Sequence, residues 1–157
     1  MYRGDCEFLN DLPPFSPVTL KYHYGSLAYN NWKRYVVGEE DGMTKKVTKR
    51  YLYAIRCILA WILIDEGKDA PIEIDELMKC FIDDDRIGTR LYADLLMMIS
   101  YYRSNCTRSR PDERGIENVT TFISAYIEIM KADKPKMEEL SDIEIYNKRF
   151  REIMMGD

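Results

Sequence analysis

Between Lys49 and Leu63 the apolar residues return at the spacing of one helix face, and nothing nearby offers them a sheet. On a wheel of about 100° per residue, Leu52, Ile55, Leu59, Ile62 and Leu63 fall inside an arc of roughly 100°. Tyr51 and Ile58 widen that arc. A helix so apolar on one side must be covered there by other elements, so the chain is committed to helices around a central one. Alternation of period two never lasts long enough for a sheet. Ile72-Glu73-Ile74 is the only strand candidate, and it is too short.

The punctuation around this segment predicts the remaining elements. Residues 1–15 read as an extended lead-in ending in Pro13-Pro14-Phe15. Ser16-Pro17 is an N-cap followed by proline at the first helical position, opening a helix that stops at Gly38. The central helix starts near Thr44 and ends before Gly67. A short helix follows over 75–82, then helices over 85–102 and 116–131. The charged stretch from Asn105 to Gly115 reads as an exposed loop, and Pro135 breaks the chain again. Ser141 with Glu144 forms a capping box for a last helix ending near Met155. The expected fold is all-α, one domain over 1–157, a compact bundle of about six largely antiparallel helices. At 157 residues, with 46% apolar and 32% charged residues, the chain has globular composition and needs no metal or disulfide for a core.

Charge and cysteines narrow the function classes. A net charge of −4 argues against nonspecific coating of nucleic acid and against a polybasic membrane anchor, while leaving room for a local basic site. No apolar run reaches the roughly 18 residues of a membrane span, and no secretory leader is legible at Met1. The cysteines, at 6, 57, 80 and 106, form no Cys-x-x-Cys pair, and His23 is the only histidine, so zinc fingers and ribbons are excluded. Cys57 and Cys80 are expected as buried, reduced thiols on helix interiors, which points to the cytoplasm.

One stripe of the central helix is anomalous. Lys46, Lys49, Tyr53 and Arg56 line up beside the apolar face rather than opposite it. Arg56 sits within Ile55-Arg56-Cys57-Ile58-Leu59, so its guanidinium is expected to be partly buried, and a buried charge requires a partner. Two readings are open. Arg56 pairs internally with Asp75, Glu76 or Asp94; or it forks onto a phosphate while Lys49 adds a point charge and Tyr53 stacks or hydrogen-bonds. The first helix carries a second polar cluster. Tyr22, Ser26 and Asn30 are spaced i, i+4, i+8, beside His23 and Asn31, with a core role for His23 the blander reading.

The acids do not assemble a catalyst. In Asp83-Asp84-Asp85, adjacent helical positions do not face each other, and acids suit a helix start. Ser141-Asp142-Ile143-Glu144 imitates a nucleotidyltransferase metal motif, but the capping box explains it and the required strand is missing. Gly25-Ser26 is not followed by paired acids. No Gly-x-Gly-x-x-Gly, Walker or HEPN-type Arg-x-His spacing occurs.

Three segments carry a resemblance. KYHYGSLAYNN over 21–31 is similar to a hydrophobic-x-Tyr-His-Tyr-x-x-x-Ala-x-x-Asn helix. KRYLYAIRCILA over 49–60, with Trp61-Ile62 after it, resembles Lys-Lys-Tyr-Leu-Tyr-x-hydrophobic-Arg-Pro-Leu-Leu-Ala. Ala70-Pro71-Ile72 with Asp75-Glu76-Leu77 looks like the proline and Phe-Asp-Glu-Leu segment that follows. These belong to the predicted nucleotidyltransferases of the DNA polymerase beta superfamily that include an RNA-repair-associated group of bacteria and phages. The resemblance lies in that family's C-terminal helical half. Cys57 stands where the family usually has proline, implying a straighter helix.

What the resemblance implies is two-metal phosphoryl transfer with Mg²⁺ and a nucleoside triphosphate. Tyr22, His23, Lys46, Lys49, Tyr53 and Arg56 would face the nucleotide or RNA end. The metal-binding acids belong to the family's other half, so this chain is expected to bind no metal and to be inactive alone. Its partner would be that catalytic half or another subunit, docked on an exposed apolar patch. The competing expectations are a protein- or RNA-interaction module contacting its partner through Arg103–Arg114, and a homodimer.

Overall fold

The computed structural model describes residues 16–35, 43–104 and 110–133. Among them the chain forms five helices and no strand: α1 (Pro17–Tyr35), α2 (Lys45–Asp65), α3 (Ile74–Lys79), α4 (Gly88–Arg103) and α5 (Glu113–Ala132). The lead-in over 1–15 and the helix expected from Ser141 lie outside the described residues, as do the loop over 105–109 and the end of the first helix at Gly38.

The start signals act as the sequence implies. The Ser16 hydroxyl accepts from the Thr19 amide at 3.1 Å, and Pro17 opens α1. Thr44 caps α2 by accepting from the Val47 amide, and Gly67 at φ +70° lets the chain leave it. Cys57 leaves α2 uninterrupted over 21 residues. α4 begins at Gly88 rather than Asp85, because 84–88 form a turn that closes on Gly88 at φ +65°. In that turn Asp84 accepts from the Arg86 amide at 2.9 Å and pairs with its guanidinium, so the Asp83–Asp85 run precedes the helix instead of starting it. α5 begins at Glu113 rather than Ile116, because Asp112 accepts from the Gly115 amide at 2.6 Å.

α2 is the hub. Every residue from Ala54 to Ile64 except Arg56 is buried, and Ala54, Ile55, Cys57, Ile58 and Leu59 are fully enclosed. α1 lies along it, with Trp32 edge-on to Tyr51 at 5.5 Å. α5 is tied to it by the Tyr51–Thr120 hydroxyl pair at 3.0 Å, and Leu95, Met98, Val119 and Ile123 close the core. Such side chains contribute about 1.5–3 kcal/mol each on burial. Of the two cysteines described, Cys57 is buried, but Cys80 is exposed at the end of α3, donating to the Glu76 carbonyl at 3.4 Å. α3 has a single turn and a half, too short to cover it.

Candidate functional site

The stripe on α2 follows from its sequence. From Met43 to Ile64 there is no acid, while Lys45, Lys46, Lys49, Arg50 and Arg56 are all basic. At about 1.5 Å per residue, Lys46 and Arg56 stand roughly 15 Å apart along the axis. Lys46 and Lys49 are exposed. Tyr53 and Arg56, one turn further in, are half-buried as the helix enters the core. The Arg56 guanidinium lies over the Tyr53 ring, 5.1 Å from its centroid.

The Arg56 Nε is buried and has no hydrogen-bond partner. Each acid proposed for it from sequence is engaged elsewhere. Asp75 takes both arms of Arg103 at 3.0 and 2.6 Å. Glu76 takes Lys79 at 2.7 Å. Asp94 accepts from Asn118 at 2.8 Å and meets Arg90 at 3.3 Å. Among the described residues Arg56 therefore has an aromatic neighbour and no counter-charge. A buried donor left unmade costs about 1–3 kcal/mol. A phosphate or carboxylate oxygen would satisfy it and would also meet the guanidinium's charge.

The residues nominated on α1 sit elsewhere. His23 is exposed, edge-on to Tyr24 at 5.8 Å. Tyr22 lines a cavity of about 490 Å³ between α1, the C-terminal half of α2 and the end of α5. None of Lys46, Lys49, Tyr53 or Arg56 lines it. Its wall includes Ser26, Tyr29, Trp61 and Met130, with Lys21, Lys131 and Asp133 also lining it. Lys21 pairs with Asp65 and Asp133, drawing together three helix ends, and lies over the Trp61 ring at 4.7 Å. This cavity was not anticipated. Its trace in the sequence is the Tyr22–Ser26 spacing with Gly25 between, small residues that leave room against Trp61; a Cβ on Gly25 would sit 3.6 Å from the indole nitrogen.

Among the described residues no group of three or more His, Cys, Asp or Glu is placed to hold a metal ion, so these residues do not fit the metal pair the resemblance implies. No described helix is long and apolar enough to cross a membrane. Among the described residues the exposed large apolar side chains are Tyr22, Ile72, Ile82, Leu96, Met97, Tyr102 and Ile129, of which only Leu96 and Met97 are neighbours in sequence.

The pattern of the RlaP family, described as the RNA repair pathway DNA polymerase beta family, matches residues 11–152. No curated protein and no solved structure matches the chain.

Proposed function

Because the chain belongs to the RNA repair pathway DNA polymerase beta family, we propose that its helices form the substrate-holding part of a nucleotidyltransferase-like protein. In this reading Arg56 forks onto a phosphate of a nucleotide or RNA end, Lys49 and Lys46 add charge toward the open end of the stripe, and Tyr53 fixes the guanidinium plane. The observation that carries it is the buried, unpartnered Arg56 Nε with no acid beside it among the described residues. The role proposed for these residues ends at holding the anion. Metal-binding acids, Mg²⁺ and the transfer step are assigned to a catalytic half or partner subunit.

Isothermal calorimetry with ATP, GTP, CTP and UTP in Mg²⁺, and with a short 5′-phosphorylated RNA, tests the reading. At least one ligand should bind. Arg56→Ala should weaken it about tenfold or more, the loss expected when a charged hydrogen bond is removed. Arg56→Lys should recover only part of that, since an ammonium lacks the fork. Absence of heat with every ligand, or an Arg56→Ala variant that binds like the parent and differs only in melting temperature, overturns the proposal.

A further inference from the structure

The cavity at Tyr22 is a groove between α1 and α5. It follows α1 from Val18 to Tyr29, a rise of about 16 Å, with Ile127 and Met130 of α5 on its other side. Tyr22 is 47% exposed, so the groove opens to solvent. The cations on its rim are already paired, Lys21 with Asp65 and Asp133 and Lys131 with Glu128 at 2.5 Å. What remains to be covered is an apolar strip.

The chain leaves α5 at this groove, because Asp133 is one of its lining residues. Lys21 meets Asp133, and a Cβ on Gly25 would stand 3.9 Å from that of Met130, so α1 and α5 run antiparallel here. Residues 134–140, with Pro135, make a connection of the length that joins antiparallel helices. The capping box at Ser141 then opens a segment with one apolar stripe. Ile143, Tyr146, Phe150, Ile153 and Met154 fall within an arc of roughly 100°, with Lys148 and Glu152 opposite. From Ile143 to Met154 the stripe rises about 16 Å, the length of the groove. The other exposed apolar pair, Leu96 and Met97, is farther away. Asp94, beside them, bonds Asn118, which lies about 22 Å before Asp133 along α5. Residues 134–140 span that distance only when fully extended.

We infer that residues 142–154 form a helix that lays Ile143, Tyr146 and Phe150 into this groove, running antiparallel to α5 and covering Tyr22. The groove is then an internal seat rather than a ligand pocket. Trp61, which lines it, follows Arg56 by five positions, about 140° around α2. The docked helix therefore leaves the cationic stripe open, and the inference stands or falls apart from the Arg56 reading.

Hydrogen–deuterium exchange of the full chain, read by peptide mass spectrometry, is the test. Amides of 143–154 should be protected. Phe150→Asp should speed their exchange, and that of 18–29 and 127–133, about tenfold or more, while 94–100 stays unchanged. Phe150→Ala should act in the same direction, and Lys148→Ala should do nothing. Urea midpoints supply a second measurement. Tyr22→Ala and Phe150→Ala together should lower the midpoint by less than the sum of their separate effects, whereas Leu96→Ala and Phe150→Ala should add. Unprotected amides over 143–154 in the parent chain overturn the inference, as does additivity of Tyr22→Ala with Phe150→Ala. Groove protection that grows with protein concentration would assign the seat to a second copy. Loss of it on Leu12→Ser but not on Phe150→Asp would assign it to the lead-in. Either result also overturns the inference.

Discussion

Two neighbours on α2 show how one position along a helix reverses a side chain's chemistry. Arg56 is turned toward the edge of the core, its guanidinium over the Tyr53 ring. Cys57, one step round, is fully enclosed, and burial pushes its thiol up to about 11 although Arg56 pulls slightly the other way. The thiolate is the nucleophile, so Cys57 should be inert to iodoacetamide at pH 8 in the folded protein, while exposed Cys80 reacts. Peptide mass spectrometry after brief labelling checks this, and equal labelling of the two would contradict the burial. The sequence made Arg56 conspicuous because a cation interrupts an apolar run. It left the choice of partner open, because Asp75 and Arg103 are 28 positions apart and only the folded chain brings them together. The aromatic partner was nearer, three residues back on the same face. The Trp61 cavity was harder to read, since it depends on side chains of three helices and no local spacing encodes it.

At the scale of elements, caps decided what could be read. Ser16-Pro17, Thr44 and Gly67 are local signals and place the ends of α1 and α2. The start of α5 was placed too late because Asp112 was absorbed into a charged stretch, although its carboxylate is the cap. The start of α4 depends on a turn whose aspartate is held by Arg86, with Glu66 at the end of α2 as that guanidinium's other partner. Gly115 is the tightest point of the α4–α5 junction. A Cβ there would stand 3.1 Å from both Asp112 and Asp94 carboxylate oxygens. Neither acid moves freely, since one caps α5 and the other is buried and held by Asn118. Gly115→Ala should therefore destabilise by about 1–2 kcal/mol, the scale of a lost cap, and Asp112→Ala by about 1 kcal/mol. Urea denaturation measures both, and a stabilised Gly115→Ala would show that the junction yields.

Across the whole molecule, ion pairs at the surface tie together elements that the core also joins. Arg103 links α4 to α3 through Asp75, and Arg86 links the turn before α4 to Glu66. Hydrogen bonds from these cations hold Asp75 and Asp84 below the usual carboxylate range, and Lys68 with Arg86 does the same for Glu66. Carboxylates depressed in the folded state contribute stability above their unfolded values, near pH 4, and lose it as pH falls through the folded ones. The melting temperature should thus be level near pH 6 and drop below pH 4. The drop should be shallower for Asp75→Asn, and a profile level down to pH 3 would deny these pairs any role. The cationic run of α2 bears on motion as well. Its first turn holds two ammonium groups and no acid, at the end where the backbone dipoles are already positive. Helix ends open more readily than helix middles, and this end carries that charge. Any bound anion quiets it, so occupancy should register as slower amide deuteration at Thr48 and Lys49 before any change in shape is seen.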